Sequence, residues 1–224
     1  MKKIVFVTIG EAPRLDIADS FAAFFQKSAN VKQDGLLNGL TMTKAEKLLS
    51  PQGNEEVVVS TFCNDESIRM SKEKVQARMQ QKIDDLETQG VDVIVVLCTA
   101  EFENLTTKKA ILVEPERILL PYIQQKFGKQ QLGVMLPLAL QIEASGKKWQ
   151  TNQLNPIFAA ASPYDFSEDT FAKAGNYLQK AGAEAIILDC MGYSRYMSEF
   201  VIQVTGLPVY QSNELLFEYV QHTF

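Results

Sequence analysis

Two of the chain's three cysteines stand at matching points of two separate stretches, VLCTAEFENL (96–105) and LDCMGYSRYM (188–197). In each, a short apolar run stops at the cysteine, Cys98 or Cys190, and then turns small and polar. A thiolate can take up a proton or attack carbon and a thiol can return a proton, so two such groups supply an acid and a base for one reaction. The alternative is two inert thiols, since a free cysteine in an apolar strand acts as a small hydrophobe; thiolate character separates the two cases. Asp189, directly before Cys190, would oppose a thiolate or share its proton, although strand alternation should turn it away. It reads either as a catalytic helper or as a charge that satisfies helix N-terminal amides.

The loop GEAPR (10–14) follows the first strand signal. Gly10 permits close backbone approach, and Arg14 offers a planar fork for a carboxylate or phosphate. The loop is not GxGxxG, which argues against a dinucleotide. The plainer reading of Arg14 is a residue that starts a surface helix and pairs with Asp16 or Asp19. Ser162-Pro163-Tyr164 could present a hydroxyl and backbone amides at the same edge, or be an ordinary turn before a helix. Tyr193, after Gly192, either closes a pocket or sits in the core with its hydroxyl satisfied. Cys63, before Asn64-Asp65 in a polar loop, reads as structural, and Trp149 behind Lys147-Lys148 as a helix packing residue beside a solvated basic edge.

The elements that must position these residues are legible as alternation. Short apolar, β-branched runs at 4–9, 57–61, 93–97, 132–136, 157–160, 185–188 and 209–210 predict strands. Amphipathic stretches at 15–27, 72–89, 115–127, 168–181 and 195–205 predict helices between them. Apolar strands separated by helices imply parallel βαβ units and an α/β fold with helices covering both faces. No linker or low-complexity tract interrupts the pattern.

A weak repeat runs through it: GVDVIVVLC (90–98) follows one helix and GAEAIILDC (182–190) another. In both, a C-cap glycine ends the helix, an acidic residue lies two positions on, and the cysteine comes eight positions after the glycine. The repeat predicts two similar lobes, with each cysteine at the carboxyl end of a parallel strand, where such sheets place their ligands. A helix N-terminus just beyond either thiol would favour its charged form.

With 224 residues, 46% of them hydrophobic, the chain can bury its core without disulfides or metals. The net charge of −5 comes from interspersed residues with no basic stripe, which argues against nucleic acid. The opening MKKIVFVTIGEAPR ends its apolar run too soon for a secretory leader and reads as a first strand. No apolar run approaches the length of a membrane span. Three cysteines without CxxC or Cys/His clustering do not form a disulfide framework or zinc site, and His222 is the only histidine, so no metal site is expected. A bacterial-type cytoplasmic protein with reduced thiols is the expectation.

Several segments together resemble the AroM family. They are Thr8-Ile9-Gly10 with Pro13-Arg14, Leu97-Cys98-Thr99, EPERIL (114–119), Gly133-Val134 with Pro137, Lys148-Trp149, Ala161-Ser162-Pro163-Tyr164, Leu188-Asp189-Cys190-Met191-Gly192-Tyr193 and Leu207-Pro208-Val209. The family has no settled activity and is distantly similar to the aspartate/glutamate racemase superfamily. That resemblance implies an α/β fold of two pseudosymmetric lobes, each a mainly parallel sheet flanked by helices, with a carboxylate between them. The lobes are expected at 1–113 plus 207–224 and at 114–206.

The same resemblance implies a racemase, isomerase or decarboxylase that needs no cofactor. Cys98 and Cys190 would be its acid–base pair, with Gly10, Arg14, Thr99, Ala100, Pro137, Ser162, Tyr164, Gly192 and Tyr193 around a small carboxylate, and a homodimer as one arrangement. Racemisation needs a base on one face of the α-carbon and an acid on the other, which one thiol from each lobe supplies. Cys98-Thr99-Ala100 lacks the asparagine of the racemases' cysteine-asparagine-threonine-alanine segment. Cys190-Met191 replaces their cysteine-threonine pair, and no histidine stands nearby. These departures keep a second class open, a binding or sensor protein for a small carboxylate without the chemistry.

Overall fold

The computed structural model describes residues 2–224, which divide into two compact units. The first holds the chain up to Ala18, Phe25–Pro115 and Phe224; the second holds Asp19–Phe24 and Glu116–Thr223.

The first unit is built on a four-stranded sheet of β1 (Ile4–Thr8), β2 (Val31–Gly35), β5 (Val93–Leu97) and β6 (Ile111–Val113), ordered β2-β1-β5-β6 and parallel throughout. β1 and β5 are buried along their whole length, as their apolar, β-branched runs require; each such side chain contributes about 1.5–3 kcal/mol when fully buried. Helices α2 (Met42–Leu49) and α3 (Lys72–Thr88) flank this sheet, each started by a hydroxyl that accepts a first-turn amide: Thr41 from Lys44 and Ser71 from Lys74. The run at 57–61 does form a strand, β3 (Val57–Thr61), but in an antiparallel hairpin with β4 (Ser67–Ser71) rather than in the parallel sheet. The turn between them explains this: Asp65 takes a left-handed φ of 65°, and Phe62 and Glu66 close the loop through a 2.9 Å main-chain bond.

The second unit carries β7 (Leu132–Leu136), β8 (Ile157–Ala160), β9 (Ala185–Leu188) and β10 (Val209–Gln211), again parallel, in the order β10-β9-β7-β8. Around them lie α4 (Pro115–Phe127), whose first residue counts with the first unit, and α5 (Ile142–Thr151), α6 (Glu168–Lys180), α7 (Arg195–Thr205) and α8 (Ser212–Thr223). The segment 207–224, expected in the first lobe, lies in the second apart from its final residue. β10 pairs with β9, and Phe217 of α8 packs on Phe21 and Phe24 of α1 (Ala18–Phe25) at 5.4 and 5.8 Å.

Strand for strand, the two sheets are the same construction: β1, β2, β5 and β6 correspond to β7, β8, β9 and β10. The correspondence reaches single bonds. α3 and α6 both end in a Schellman motif, with Gly90 and Gly182 at φ 73° and 98°. Val91 and Ala183 donate to Leu86 and Leu178 carbonyls at 3.1 and 3.0 Å. The acid two positions beyond each glycine then accepts the amide just before the central strand: Asp92 from Lys3 at 2.8 Å, Glu184 from Gln131 at 2.7 Å.

Candidate functional site

All four strands of the second unit deliver residues to one edge. Registers pair Met135 and Gln211 with Leu188, and Leu136 with Ala160. Pro137, Ala161–Tyr164, 189–193 and Ser212–Asn213 therefore all emerge at the carboxyl ends of their strands. Half-buried Cys190 is the focus: its Sγ accepts from Gly192 N at 3.5 Å and lies 3.4 Å from the Tyr164 hydroxyl. A Cβ on Gly192 would stand 2.7 Å from that hydroxyl and 2.8 Å from two ring carbons, so only glycine lets the phenol ring lie against this loop. Ser162-Pro163-Tyr164 is the turn the plainer reading expected, with Ser162 Oγ accepting Tyr164 N at 3.2 Å. The turn's consequence is the placement of Tyr164.

Tyr193 is fully buried and donates its hydroxyl to Ala161 O at 2.8 Å. Burial first, then the neighbouring Cys190, Asp189 and Tyr164, push its phenol far above the ordinary range, so it stays protonated. It pins the Cys190 loop from the core. Asp189 points to the other side of the strand, as alternation predicts. Its carboxylate receives Trp149 Nε1 and Ser212 Oγ, both at 3.3 Å, with Lys148 Nζ at 3.9 Å. Trp149 is thus both packing residue and donor, and Lys148 is largely buried rather than a solvated edge. Sequence reasoning missed Asn213, whose buried amide donates to Met191 O at 3.2 Å and Tyr193 O at 2.8 Å. The available signal was SNE at the start of a helix beyond β10, at the same carboxyl edge.

In the first unit Cys98 directly follows β5, and its Sγ accepts from Ala100 N at 3.4 Å. Thr8 pairs with Leu97, which brings the Gly10 loop alongside Cys98-Thr99-Ala100. Thr8 Oγ1 accepts from Gly10 N and from Arg14 Nη1, both at 3.1 Å. The rest of the Arg14 fork meets Asp16, Nε at 2.7 Å and Nη2 in an ion pair. Arg14 therefore pairs with Asp16 as the plainer reading had it, but buried, only 2% exposed, instead of on a surface helix. The close approach that Gly10 allows is made by the β3–β4 hairpin: a Cβ there would stand 2.3 Å from Ser60 Oγ and 2.6 Å from Thr61 O. Cys63 caps this contact, its amide donating to Glu11 at 2.8 Å and its thiol to Pro13 O at 3.4 Å. Burial and then the Glu11 carboxylate raise the Cys63 thiol above its ordinary value, as expected of a structural cysteine.

Neither thiol stands immediately before a helix: β5 runs into the loop 98–110, and residues 191–194 separate Cys190 from α7. Each sulfur accepts from the main-chain amide two residues on. A donor aimed at sulfur favours its charged form for the same reason a helix N-terminus would. Among the described residues no group of three or more His, Cys, Asp and Glu side chains could hold a metal ion. No helix among them is long and apolar enough to cross a membrane.

Solved structures share this architecture. Unliganded arylmalonate decarboxylase aligns with a TM-score of 0.62 at 14% identity, over 99% of this chain and 91% of that one. Glutamate racemase from Aquifex pyrophilus aligns at 0.61 and 16%, over 100% and 84%. An aspartate racemase homologue from Pyrococcus horikoshii OT3 aligns at 0.57 and 13%, over 99% and 98%. These likenesses establish the racemase-like fold. No curated protein matches the chain. The AroM protein family matches residues 4–223, and the chain belongs to the AroM family.

Proposed function

We propose that the protein is a cofactor-independent enzyme of the racemase or isomerase type, acting on a small carboxylate, with Cys98 and Cys190 as its acid–base pair. The observation that carries this reading is the equivalence of the two thiols: both lie at the carboxyl ends of corresponding strands, each with a backbone amide on its sulfur. One thiolate removes the α-proton, forming S–H as C–H breaks and leaving the electron pair delocalised into the carboxylate. The other thiol returns a proton to the opposite face, and the two sulfurs exchange states. The chemistry balances without oxidant, reductant or metal.

Thr99, Ala100, Pro137, Ser162, Tyr164 and Gly192 line the substrate in this reading, while Gly10, Arg14 and Tyr193 shape the loops from behind. Three cysteines, an odd number without CxxC spacing, suit a reducing compartment, the cytoplasm. The reaction is tested by following exchange of substrate α-protons for deuterium in heavy water across amino and dicarboxylic acids. A carboxylate-binding protein without chemistry is the second reading, favoured by the missing asparagine beside Cys98 and by Met191 after Cys190. It predicts binding without exchange.

A further inference from the structure

We infer that Tyr164 is a positioning residue that, together with the Gly192 amide, seats Cys190 as a thiolate. The inference rests on the proposed role of Cys190 and adds the group that prepares it. Three observations converge. The Tyr164 hydroxyl and the Gly192 amide both reach Cys190 Sγ, at 3.4 and 3.5 Å. The phenol ring lies where any side chain at position 192 would collide with it, so glycine and tyrosine form one fitted pair. The Ser162 side chain holds the main chain of Tyr164 through its amide, which fixes where the ring begins.

Chemistry decides the direction of the hydrogen bond. Against a neutral thiol either atom could donate, but a thiolate only accepts. As a class the thiol is the stronger acid of the two, so in this inference the sulfur carries the charge and the phenol keeps its proton. The tyrosine then donates to the charged sulfur and stabilises the form that can take a substrate proton. Tyr164 supplies this donor from the end of β8, which β7 separates from the strand that carries Cys190.

The test is alkylation of Cys190 by iodoacetamide in the full chain, followed by peptide mass spectrometry across pH 5 to 10 for the wild type and Tyr164→Phe. Losing the hydroxyl should raise the midpoint of the Cys190 rate profile by about one pH unit, so that the rate at neutral pH falls about tenfold, while the Cys98 profile stays in place. Gly192→Ala, which displaces the ring without removing its hydroxyl, should shift the Cys190 profile the same way. An unmoved Cys190 profile in either folded variant overturns the inference, as does an equal shift at Cys98. The readout does not depend on turnover. A shifted profile in a protein that exchanges no substrate proton would leave the thiolate seat standing and remove the proposed enzyme.

Discussion

Cys98 and Cys190 hold equivalent places in the two units. Each follows the strand that begins three residues after a left-handed glycine, and each sulfur accepts from the amide two residues further on, Ala100 N at 3.4 Å and Gly192 N at 3.5 Å. A chance pair of buried cysteines would have no reason to share strand, offset and donor. The reading of this chain as a two-thiol enzyme grows from that correspondence.

The thiols should differ in reactivity. Cys63 is pushed up by burial and by Glu11, whereas the other two sulfurs each receive an amide. Cys98 or Cys190 should alkylate at least several-fold faster than Cys63 near neutral pH, with a bound carboxylate protecting the faster one. Mass spectrometry of iodoacetamide-treated protein reads the order directly, and a Cys63 that reacts first would contradict it.

Asp189 should matter for stability rather than for proton transfer. It satisfies the Trp149 indole and the Ser212 hydroxyl on the side of the strand away from Cys190. Asp189→Ala leaves these two buried donors without their acceptor and should cost about 2–6 kcal/mol, from about 1–3 per orphaned group. Urea unfolding monitored by Trp149 fluorescence measures it. A loss below about 0.5 kcal/mol, the range of a surface substitution, would show that the carboxylate is not an anchor.

Glu87 ties down the far end of the Cys98 loop, its carboxylate accepting the amides of Lys108, Lys109 and Ala110 at 2.6–2.9 Å. Those backbone bonds hold its acid below the ordinary 4.5. Because the folded value is depressed, the stabilisation is complete above the ordinary value and disappears as pH falls through the lowered one. Exchange protection at these three amides, measured by NMR relative to α3, should therefore collapse in acid, and Glu87→Gln should remove the pH dependence. Protection unchanged down to pH 3 would contradict the anchor. The corresponding residue in the second unit, Gln179, clamps its crossover with the opposite polarity, donating to Thr205 O at 2.6 Å. There the crossover is a helix, whose end presents carbonyls where a loop presents amides.

Most of the central elements could be read from the sequence because they are apolar on both faces. β5, β7, β8 and β9 fall where their β-branched runs predict. β2 could not be read that way: VKQDG is a polar edge strand with no apolar run. α8 begins with polar Ser212 and Asn213, both buried at the sheet edge, which hides its amphipathic pattern. The lobe to which 207–224 belongs depends on β10 choosing β9 as its neighbour, a tertiary contact with no local signature. The site divides in the same way. Strand-end cysteines and the glycine before them carry local signals, so their positions were legible. The direction of the Arg14 fork depends on Asp16 and Thr8 meeting it in a buried corner, and Tyr164 reaches Cys190 from a different strand.

In the proposed reaction these two thiols move a proton at one carbon. The most direct test is deuterium incorporation at the α-carbon of amino and dicarboxylic acids in heavy water, read by proton NMR, for the wild type, Cys98→Ala and Cys190→Ala. Exchange into at least one substrate is expected with the wild type, and its loss, by about 10²-fold or more, in each variant while the fold is retained. No exchange across the panel, or exchange that persists in both variants, would contradict it.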